Sequence, residues 1–569
     1  MSTPLPFYWP KGIAATLQVS EVTLDDNLYT SARRYPHKPA IIYGGNTTSY
    51  AQLLAQMEAI AGYCQQRLGI QRGDRVLVQS QNCPQFIAIS YGLYRAGAVV
   101  VPVSAMTTAY ELRYYAQNSG ARTAFVAQEL LASMQAALEE GLLDAVVVHA
   151  YSDAILNRPP DPLPEVVTAA RLPLPCNSSG TPDARYHALS DVLALQLQPL
   201  PRMATPDDLV TIPYTSGTTG HPKGCMHTHR TLMAAITASR LWRSLHDDMV
   251  FLCVAPMFHM LGTQSGMNIP LSLGGTIVMM PRWDARLAAR MIERYRVSAW
   301  TAPPSMVIDL FTQAERDSVD VSSLAMLSGG GAAMPEAVSQ MLSERFGLSY
   351  NEAYGLTESA AFLHCNPPHF LKRQCLGVAT QGVHSMVVHP ETLQELPPGE
   401  VGELVTSGMQ IMQGYWHDEQ ANAQSFFERH GRRYFRTGDL AYMDEEGYFF
   451  MRDRLKRMIN ANGYKVWPAE VENMLYANPA VQEACVIGVP DLQRGETVKA
   501  VIVLRPEAIH TSAEDIMAWS RERMAAYKVP RLVEFVPQLP KSATGKIQWR
   551  TLQEAAKAVG DSSVHPVSG

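Results

Sequence analysis

The chain has 569 residues, 47% of them hydrophobic and 18% charged, and its formal net charge at pH 7 is −6. A chain of this length exceeds what a single hydrophobic core supports, so two or more domains are expected. The composition is ordinary for a globular protein, and the negative charge balance gives no reason to expect a nucleic-acid partner.

The N-terminus and the cysteines indicate the compartment. Residues 1–18 include Pro4, Pro6 and Pro10 and lack the apolar segment of a signal peptide. The eight cysteines form no Cys-x-x-Cys pair, so neither a zinc site nor a disulfide framework is expected. Both features favour a reducing cytoplasm.

Short apolar runs alternate with longer amphipathic ones over residues 38–150. Strands are predicted at 40–43, 75–78 and 99–103, and helices at 50–68 and 84–95. This alternation predicts a parallel α/β sheet covered on both faces. The Pro-rich stretch 155–186 is predicted to be a loop or linker, after which the alternation resumes from 207 to about 345.

An uncharged stretch spans residues 249–281, which contain no Asp, Glu, Lys or Arg. Its length would suit a membrane-spanning helix. Pro256, Pro270 and several glycines interrupt it, however, and His259 is polar. We therefore interpret it as a buried strand, loop, helix and strand, with the membrane span as the less favoured alternative.

The C-terminal third predicts a change of fold. Residues 380–450 are predicted to be β-rich, and a small α+β unit of common domain size begins near residue 453. The expected domains are 1–452 and 453–569. The fold class is α/β, with a large N-terminal domain of α/β subdomains plus a β-rich subdomain, followed by a small, mobile α+β C-terminal domain.

The most informative segment is Thr-Ser-Gly-Thr-Thr-Gly-His-Pro-Lys-Gly at 215–224, directly after the apolar run 209–214. Glycines let backbone N–H groups approach an anion, hydroxyls donate hydrogen bonds, and Lys223 adds a positive charge. This pattern predicts a phosphate-binding loop. It is not a Walker A loop, because Pro222 precedes the lysine and Gly224 follows it. The alternative is an ordinary Ser/Thr/Gly-rich surface loop.

Further motifs follow this loop in a fixed order. They are Tyr-Gly-Leu-Thr-Glu at 354–358, Gly-Glu-Leu at 402–404, Tyr-Phe-Arg-Thr-Gly-Asp at 434–439, Asp-Arg-Leu-Lys at 453–456, Gly-Tyr-Lys-Val-Trp-Pro-Ala-Glu-Val-Glu at 463–472 and Pro-Lys-Ser-Ala-Thr-Gly-Lys at 540–546. Together with the loop, these motifs resemble the adenylate-forming superfamily of acyl-CoA synthetases, adenylation domains and beetle luciferases. The resemblance is strongest to fatty-acyl-CoA synthetases.

The resemblance implies that a substrate carboxylate attacks the α-phosphate of ATP. A carboxylate needs no general base, so the protein must shield two anions from each other, align them and stabilise the leaving pyrophosphate. The implied phosphate ligands are Thr215, Ser216, Gly217, Thr218, Thr219 and Lys223.

The remaining nucleotide ligands are implied by the later motifs. Thr357 is expected to contact the α-phosphate and Glu358 to bind Mg²⁺, which prefers carboxylate oxygen; a helix start capped by threonine is the alternative. Tyr354 is expected to stack on adenine, although it could be a plain core residue. The other expected nucleotide-binding residues are Gly330, Gly331, Glu352, Ala353, Asp439 and Arg454. Asp439 is expected at the ribose, and Arg454 at the ribose or a phosphate.

Besides Thr357, the same resemblance assigns three residues to catalysis. Lys546 is expected to bridge the carboxylate and the α-phosphate in the first half-reaction. Lys456 matches the hinge position, where a surface residue can absorb a backbone rotation. His259 matches an aromatic gate for the incoming thiol, and Gly463 lies in a segment expected to line the pantetheine tunnel of coenzyme A. The alternatives without a catalytic role are that Lys546 and Lys456 are solvated surface residues and that His259 is a core residue.

The uncharged segment also bears on the substrate. Relatives that activate amino acids place an acidic residue there, so an α-amino acid is not expected. The predicted pocket lining is apolar and Met-rich, which favours a fatty acid over an aryl acid; its candidates are Met257, Met260, Leu261, Gln264, Ser265, Trp300, Pro304, Met306 and the glycines at 329–331. The expected partners are the acid, ATP, Mg²⁺ and coenzyme A, with a carrier-protein acceptor, weak membrane-surface association and a homodimer left open.

Overall fold

The computed structural model describes residues 6, 8–177, 179–215, 222–330, 334–461, 464–491, 495–542 and 547–561. Contacts divide the chain into two compact units. The first comprises residues 1–384 and 407–433, and the second comprises 385–406 and 434–569. The strands at 434–452 thus group with the residues after them, and the boundary expected at 453 stays a prediction.

The elements follow the chain in alternation. Up to residue 211 they are α1 (Asp25–Arg34), β1 (Pro39–Tyr43), β2 (Asn46–Ser49), α2 (Tyr50–Gln66), β3 (Arg75–Gln79), α3 (Pro84–Ala96), β4 (Val99–Val103), α4 (Ala109–Ser119), β5 (Thr123–Ala127), α5 (Leu131–Glu139), β6 (Ala145–His149), α6 (Glu165–Thr168), β7 (Tyr186–Ala188), α7 (Leu189–Ala194) and β8 (Leu209–Thr211). From 214 to 379 they are β9 (Tyr214–Thr215), β10 (Lys223–Gly224), β11 (His227–Thr228), α8 (His229–Trp242), β12 (Val250–Cys253), α9 (Ile269–Leu273), β13 (Thr276–Met279), α10 (Ala285–Tyr295), β14 (Ala299–Thr301), α11 (Pro304–Asp317), β15 (Met326–Gly329), α12 (Glu336–Phe346), β16 (Tyr350–Tyr354), β17 (His364–Cys365) and β18 (Val378–Ala379).

The remaining elements are mostly strands. They are β19 (His384–Val388), β20 (Gly402–Ser407), α13 (Glu419–Ser425), β21 (Phe426–Arg429), β22 (Arg432–Met443), β23 (Phe449–Arg454), β24 (Ile459–Ala461), β25 (Tyr464–Val466), α14 (Pro468–Tyr476), β26 (Val481–Asp491), β27 (Gly495–Leu504), α15 (Ala513–Arg521), β28 (Leu532–Phe535) and α16 (Trp549–Asp561).

Two large sheets form the first unit. One has nine strands in the order β18-β17-β16-β15-β14-β12-β13-β1-β2, and the other has seven in the order β11-β8-β4-β3-β5-β6-β7. Their central strands pair in parallel. Every residue of β4 is buried, as expected for a parallel strand with both faces covered. The predicted parallel α/β arrangement is therefore present, and it occurs in two separate sheets.

Local sequence signals account for the helix ends in this unit. Helix α2 begins at a capping box, in which Ser49 accepts from the Gln52 N–H and the Gln52 side chain accepts from the Ser49 N–H. Helix α3 begins with Pro84 and ends at Gly97, whose φ of +82° favours glycine. The interval 155–186 is not all loop, because the short helix α6 forms within it and β7 begins at Tyr186.

The uncharged stretch folds as β12, a loop, a π-helix at Gly262–Asn268, α9 and β13. This is the predicted order of strand, loop, helix and strand, with an unexpected helix type. Within the described ranges, no helix combines the length and apolarity that a bilayer crossing requires.

Two antiparallel sheets organise the second unit. Strands β19, β20, β22 and β23 lie side by side in that order. Strands β25, β24, β27 and β26 form the other sheet, to which β28 adds beside β27 in parallel. Lys456 lies in the short 3-10 turn Leu455–Arg457, which connects β23 of the first sheet to β24 of the second. This is the only described connection of that kind in the stretch 449–461.

Candidate functional site

The ends of the glycine-rich loop are held by a two-stranded ribbon in the first unit. Thr215 of β9 pairs with Lys223 of β10, and Tyr214 pairs with Gly224. Gly224 has no room for a side chain, because a Cβ there would lie 2.6 Å from Ile212. The ribbon thus fixes where the loop leaves and re-enters the sheet. The predicted ligands Ser216, Gly217, Thr218 and Thr219 lie outside the described residues.

Helix α4 anchors this ribbon. The Tyr114 hydroxyl donates to the Pro222 carbonyl at 2.8 Å. The Asn118 side chain accepts from the Tyr214 hydroxyl at 2.6 Å, and its carbonyl accepts from the Trp416 indole N–H at 3.0 Å. One helix end therefore positions both the ribbon and the segment that carries Tyr415.

The ammonium group of Lys223 lies beside a carboxylate and an aromatic ring. Its Nζ lies 3.2 Å from Asp418 Oδ2 and 5.4 Å from the centre of the Tyr415 ring. The Ala421 N–H and, to a lesser extent, Lys223 lower the pKa of Asp418, so this carboxylate is charged at neutral pH. Asp418 thus neutralises Lys223 in the structure, and a bound polyphosphate would compete for the same ammonium.

The predicted phosphate and metal ligands Thr357 and Glu358 occupy a 3-10 turn at Thr357–Ser359, after β16. Glu358 Oε1 accepts from the Tyr415 hydroxyl at 2.9 Å, and the Glu358 carbonyl accepts from the Met412 N–H at 2.8 Å. Tyr415 therefore has Glu358 at its hydroxyl and Lys223 near its ring. The structure brings these predicted residues to one place through a tyrosine that the motifs did not indicate.

Strain and a buried histidine accompany this turn. Ala360 and Ala361 both adopt left-handed backbone with φ of +51° and +64°, which costs energy for residues other than glycine. The Thr357 carbonyl accepts from His227 Nε2 at 2.7 Å, so that nitrogen carries the proton. Burial lowers the pKa of His227 to about 4, which keeps the imidazole neutral.

A wall of small residues lies at the carboxyl ends of β15 and β16. A Cβ on Gly330 would overlap the Ala353 carbonyl oxygen, so only glycine fits there. Glu352 is buried, and its two oxygens accept from the Met334 N–H at 3.0 Å and the Cys375 N–H at 3.3 Å. Burial raises the pKa of Glu352. Glu352 therefore holds the segment after the glycines in place; Gly331 lies outside the described residues.

Tyr354 and His259 are placed close to these elements. Tyr354 is buried at the end of β16, with its ring 5.4 Å from the ring of His364. His259 is half-buried in the turn before the π-helix, where its N–H donates to the Pro256 carbonyl and its carbonyl accepts from the Thr263 N–H. Their roles as adenine platform and gate stay predictions.

Trp300, one of the predicted pocket residues, packs in the core of the first unit. Trp300 is buried in the core cluster with Leu327 and stacks on Trp283 at 5.5 Å. Its neighbours Ala299 and Thr301 point to the other face of the sheet, where they line a cavity. Trp300 does not line that cavity, and its place in the acyl pocket stays a prediction. Met306 also packs against the Trp300 side.

The predicted ribose ligands lie together in the second unit. Asp439 of β22 pairs with Arg454 of β23, and Arg454 Nε lies 3.0 Å from Asp439 Oδ1. The carboxylate is buried, with 1% of the side chain exposed, whereas 54% of Arg454 is exposed. Gly438, with φ of +69°, donates its N–H to Glu403 at 3.2 Å, and Glu403 also pairs with Arg436. The Gly-Glu-Leu motif thus supports the Tyr-Phe-Arg-Thr-Gly-Asp motif.

The hinge candidate follows this pair directly. Arg457, next to Lys456, is half-buried between Asp453 and Glu472, and both carboxylates raise the pKa of its guanidinium against the effect of desolvation. Its ion pairs tie the turn to α14. Gly463 and Lys546 lie outside the described residues.

Sequence reasoning missed Tyr415, Asp418 and His227. Weak signals were present: Gly-Tyr-Trp at 414–416 places two aromatic residues after a glycine in a polar stretch, and His-Thr-His at 227–229 follows the lysine of the loop. Neither pattern indicates which residue the aromatic or histidine side chain contacts. The pairing of Tyr415 with Glu358 spans 57 residues, and that of His227 with Thr357 spans 130.

Comparison with known proteins identifies the family. A family model described as AMP-binding enzyme matches residues 28–416, and one described as AMP-binding enzyme C-terminal domain matches residues 470–546. A long-chain-fatty-acid–CoA ligase of Bacillus subtilis is 32% identical over 557 residues, covering 96% of this chain and 97% of that protein. A feruloyl-CoA synthase of Amycolatopsis is 33% identical over 521 residues, covering 91% and 95%.

Comparison with solved structures leads to the same family. ATP-bound MatB from Rhodopseudomonas palustris superimposes with a TM-score of 0.82 at 26% identity, covering 95% of this chain and 100% of that one. The anthranilate CoA ligase AuaEII, in complex with anthranoyl-AMP, gives a TM-score of 0.81 at 26% identity, covering 96% and 100%. The α/β fold class and the resemblance to adenylate-forming enzymes are confirmed, and the chain belongs to the AMP-binding enzyme family.

Proposed function

We propose that this enzyme is an AMP-forming acid–thiol ligase that activates an apolar carboxylic acid, a medium- or long-chain fatty acid, and transfers it to coenzyme A. The observation that carries the proposal is the cluster around Tyr415. It places a cation, Lys223, and a carboxylate, Glu358, beside the described ends of a glycine-rich loop. A site for a triphosphate needs both, the cation for the phosphates and the carboxylate for their counter-ion.

In the first half-reaction the acid's carboxylate oxygen attacks the α-phosphorus of ATP. A C–O–P bond forms, the bond to the β-phosphate oxygen breaks, and pyrophosphate leaves. Lys223 exchanges Asp418 for the departing phosphates, and Thr357 donates to the α-phosphate. Lys546 bridges the two reacting anions, which lowers the repulsion that otherwise opposes their approach.

The residues present fit a magnesium ion. Mg²⁺ is held in proteins through one or two carboxylates plus substrate phosphates, and Glu358 is a carboxylate oriented by Tyr415. Glu358 would hold the ion, which would supply charge neutralisation on the triphosphate. Asp439 and Arg454 would hold the ribose, since a carboxylate can accept from both of its hydroxyls.

In the second half-reaction the sulfur of coenzyme A attacks the acyl carbonyl. A C–S bond forms, the C–O bond to phosphate breaks, and AMP leaves with both electrons of that bond. Lys456 would permit the backbone rotation between the half-reactions, and His259 would open the path for the thiol.

The aryl alternative is favoured by one comparison, since a feruloyl-CoA synthase is as similar to this chain as the fatty-acid ligase. Pyrophosphate release should therefore be measured over straight-chain, benzoate-like and amino acids, with and without coenzyme A. We expect efficiency to rise with chain length by about 0.8 kcal/mol per buried methylene and then fall. Strong turnover of benzoate- or cinnamate-like acids, with a flat response to the chain length of straight-chain acids, would favour the aryl-acid hypothesis. Pyrophosphate exchange with a free amino acid would overturn both the fatty-acid and the aryl-acid hypotheses.

For location we propose the cytoplasm. All eight cysteines are free, and seven of them are buried, which suits a reducing compartment. Fractionation with antibody detection tests this proposal, and recovery from an oxidising compartment would contradict it.

A further inference from the structure

A narrow cavity lies between the nine-stranded sheet and the layer formed by α8 and the π-helix. Phe251, Ala299 and Met326 are neighbours in register on β12, β14 and β15, and they form its sheet side. The complete lining is Arg243, Leu245, Phe251, Leu252, Ser265, Ile269, Ala299, Thr301 and Met326. Most of this surface is apolar, but three of its members carry hydrogen-bond donors.

The cavity adjoins the proposed adenylation centre. Thr301 pairs with Ser328, which immediately precedes Gly329 and Gly330. Strands rise about 3.3 Å per residue, so Ser328 lies about 7 Å and Met326 about 13 Å from Gly330 along the strand. An acyl chain that left the glycine wall and followed the sheet would run toward this cavity.

Arg243, which ends α8, is the charged member of the lining. Its guanidinium carbon lies 4.8 Å from the centre of the Phe362 ring, and its other neighbours include the Cys365 thiol and the Tyr350 ring, which are neutral groups. No described carboxylate lies within ion-pair distance of it, and its Nε is buried without an acceptor. The guanidinium beside the cavity therefore has an aromatic ring and a thiol as neighbours, but no described carboxylate balances its charge.

Two hydroxyls complete the set of donors. Ser265 lies on the π-helix and Thr301 at the end of β14, and both are half-buried. Neither hydroxyl makes a hydrogen bond to any described residue. A purely hydrocarbon occupant would leave the two hydroxyls and the Arg243 Nε without an acceptor, which is costly in a water-poor site.

We propose that this cavity recognises a second carboxylate at the far end of the acyl chain, held by Arg243 with Ser265 and Thr301, so that medium-chain dicarboxylic acids are preferred substrates. The inference rests on the proposed acid activation and thioester transfer, and it changes the preferred substrate from an apolar fatty acid to a chain that carries a distal carboxylate. One carboxylate is activated and the other stays unreacted. An extended chain advances about 1.2 Å per bond, so a span of about 7 to 13 Å corresponds to about six to eleven bonds. Met326 is flexible enough to move aside for the chain.

The test compares three acids of equal length: a dicarboxylic acid, its monomethyl ester and the straight-chain monocarboxylic acid. For each, kcat/KM is measured from pyrophosphate release with wild type, Arg243→Met and Arg240→Met. Arg240 lies on the same helix and is also half-buried, but it does not line the cavity. We expect wild type and Arg240→Met to prefer the diacid over its ester by about 10- to 100-fold, and Arg243→Met to lose that preference.

The outcomes separate this inference from the proposed function. Turnover of monocarboxylic acids without preference for the diacid, or an equal loss on all three acids in Arg243→Met, overturns the inference and leaves the proposed function standing. If none of the three acids supports pyrophosphate release, both the inference and the proposed function are overturned. If Arg243→Met does not fold, the double variant Ser265→Ala and Thr301→Val replaces it. A several-fold fall in its diacid-to-ester ratio supports the inference, and an unchanged ratio overturns it.

Discussion

Replacing Tyr415 by phenylalanine would isolate the contact on which the nucleotide site is centred. The substitution removes the hydroxyl that donates to Glu358 at 2.9 Å and keeps the ring near Lys223. Attraction between the ammonium and the ring face is therefore preserved. What is lost is the one described side-chain donor to the Glu358 carboxylate.

The size of the effect follows from the charge on the acceptor. A hydrogen bond to a charged group contributes about 1.5–3 kcal/mol. At about 1.4 kcal/mol per factor of ten, its loss lowers the rate by about 10- to 150-fold. Glu358 is proposed to serve the triphosphate, so we expect this loss in acyl-adenylate formation and little change in thioester formation from supplied acyl-adenylate.

The assay measures pyrophosphate release against ATP and Mg²⁺ concentration, and separately measures thioester formation from synthetic acyl-adenylate. The Mg²⁺ concentration for half-maximal rate should rise in Tyr415→Phe. Tyr63→Phe is the matched control, because Tyr63 is similarly buried and its hydroxyl contacts His187 Nδ1 at 3.0 Å, outside the site. Equal losses in both half-reactions, or the same loss in the control, would refute the reasoning.

Three other substitutions test separate parts of the structure. Lys546→Ala should slow acyl-adenylate formation by about 100- to 1000-fold and leave thioester formation from supplied acyl-adenylate nearly intact; comparable losses in both would show that the assignment is wrong. Lys456→Pro, which restricts φ at the proposed hinge, should preserve adenylation and slow thioester formation; wild-type rates in both steps would exclude residue 456 as the hinge. Burial lowers the pKa of His149 to about 3, against about 6.5 in an unfolded chain. Between about pH 3 and 6.5 His149 is therefore protonated in the unfolded chain but not in the folded one. Its effect on the free energy of unfolding is absent above about pH 6.5, and it lowers that free energy progressively as the pH drops from there toward 3. His149→Leu should accordingly lose less unfolding free energy than wild type between about pH 7 and 5 in urea titrations, by up to about 1.4 kcal/mol per pH unit; parallel curves would contradict this.

Much of the fold and the chemistry could be predicted because their signals are local. The glycines, hydroxyls and lysine of 215–224 are adjacent in the chain, and the structure places Thr215 and Lys223 opposite each other in one ribbon. Asp439 and Arg454 were likewise both expected to bind the nucleotide, and they meet because a hairpin connects β22 to β23. Short-range patterns of this kind carry their own geometry.

The contacts that organise the site could not be predicted in the same way. Tyr415 reaches Glu358 only because the segment 412–416 lies beside both the ribbon and the Thr-Glu turn, and no periodicity encodes that approach. The sheet face on which Trp300 lies could not be predicted for a related reason. A strand of three residues such as β14 has too few positions to reveal which set of side chains faces which layer.

The π-helix at Gly262–Asn268 has a consequence for how substrate range can change. A π-turn holds one residue more than the α-helical turn it replaces, and each residue of an α-helix rotates the next by about 100°. Deleting a single residue from this segment would restore α-helical geometry and swing Ser265 away from its neighbours. The Tyr415 cluster lies on other segments and would not be altered. Insertion and deletion at this helix thus give evolution, or an engineer, a way to alter acid selectivity while the nucleotide chemistry stays constant.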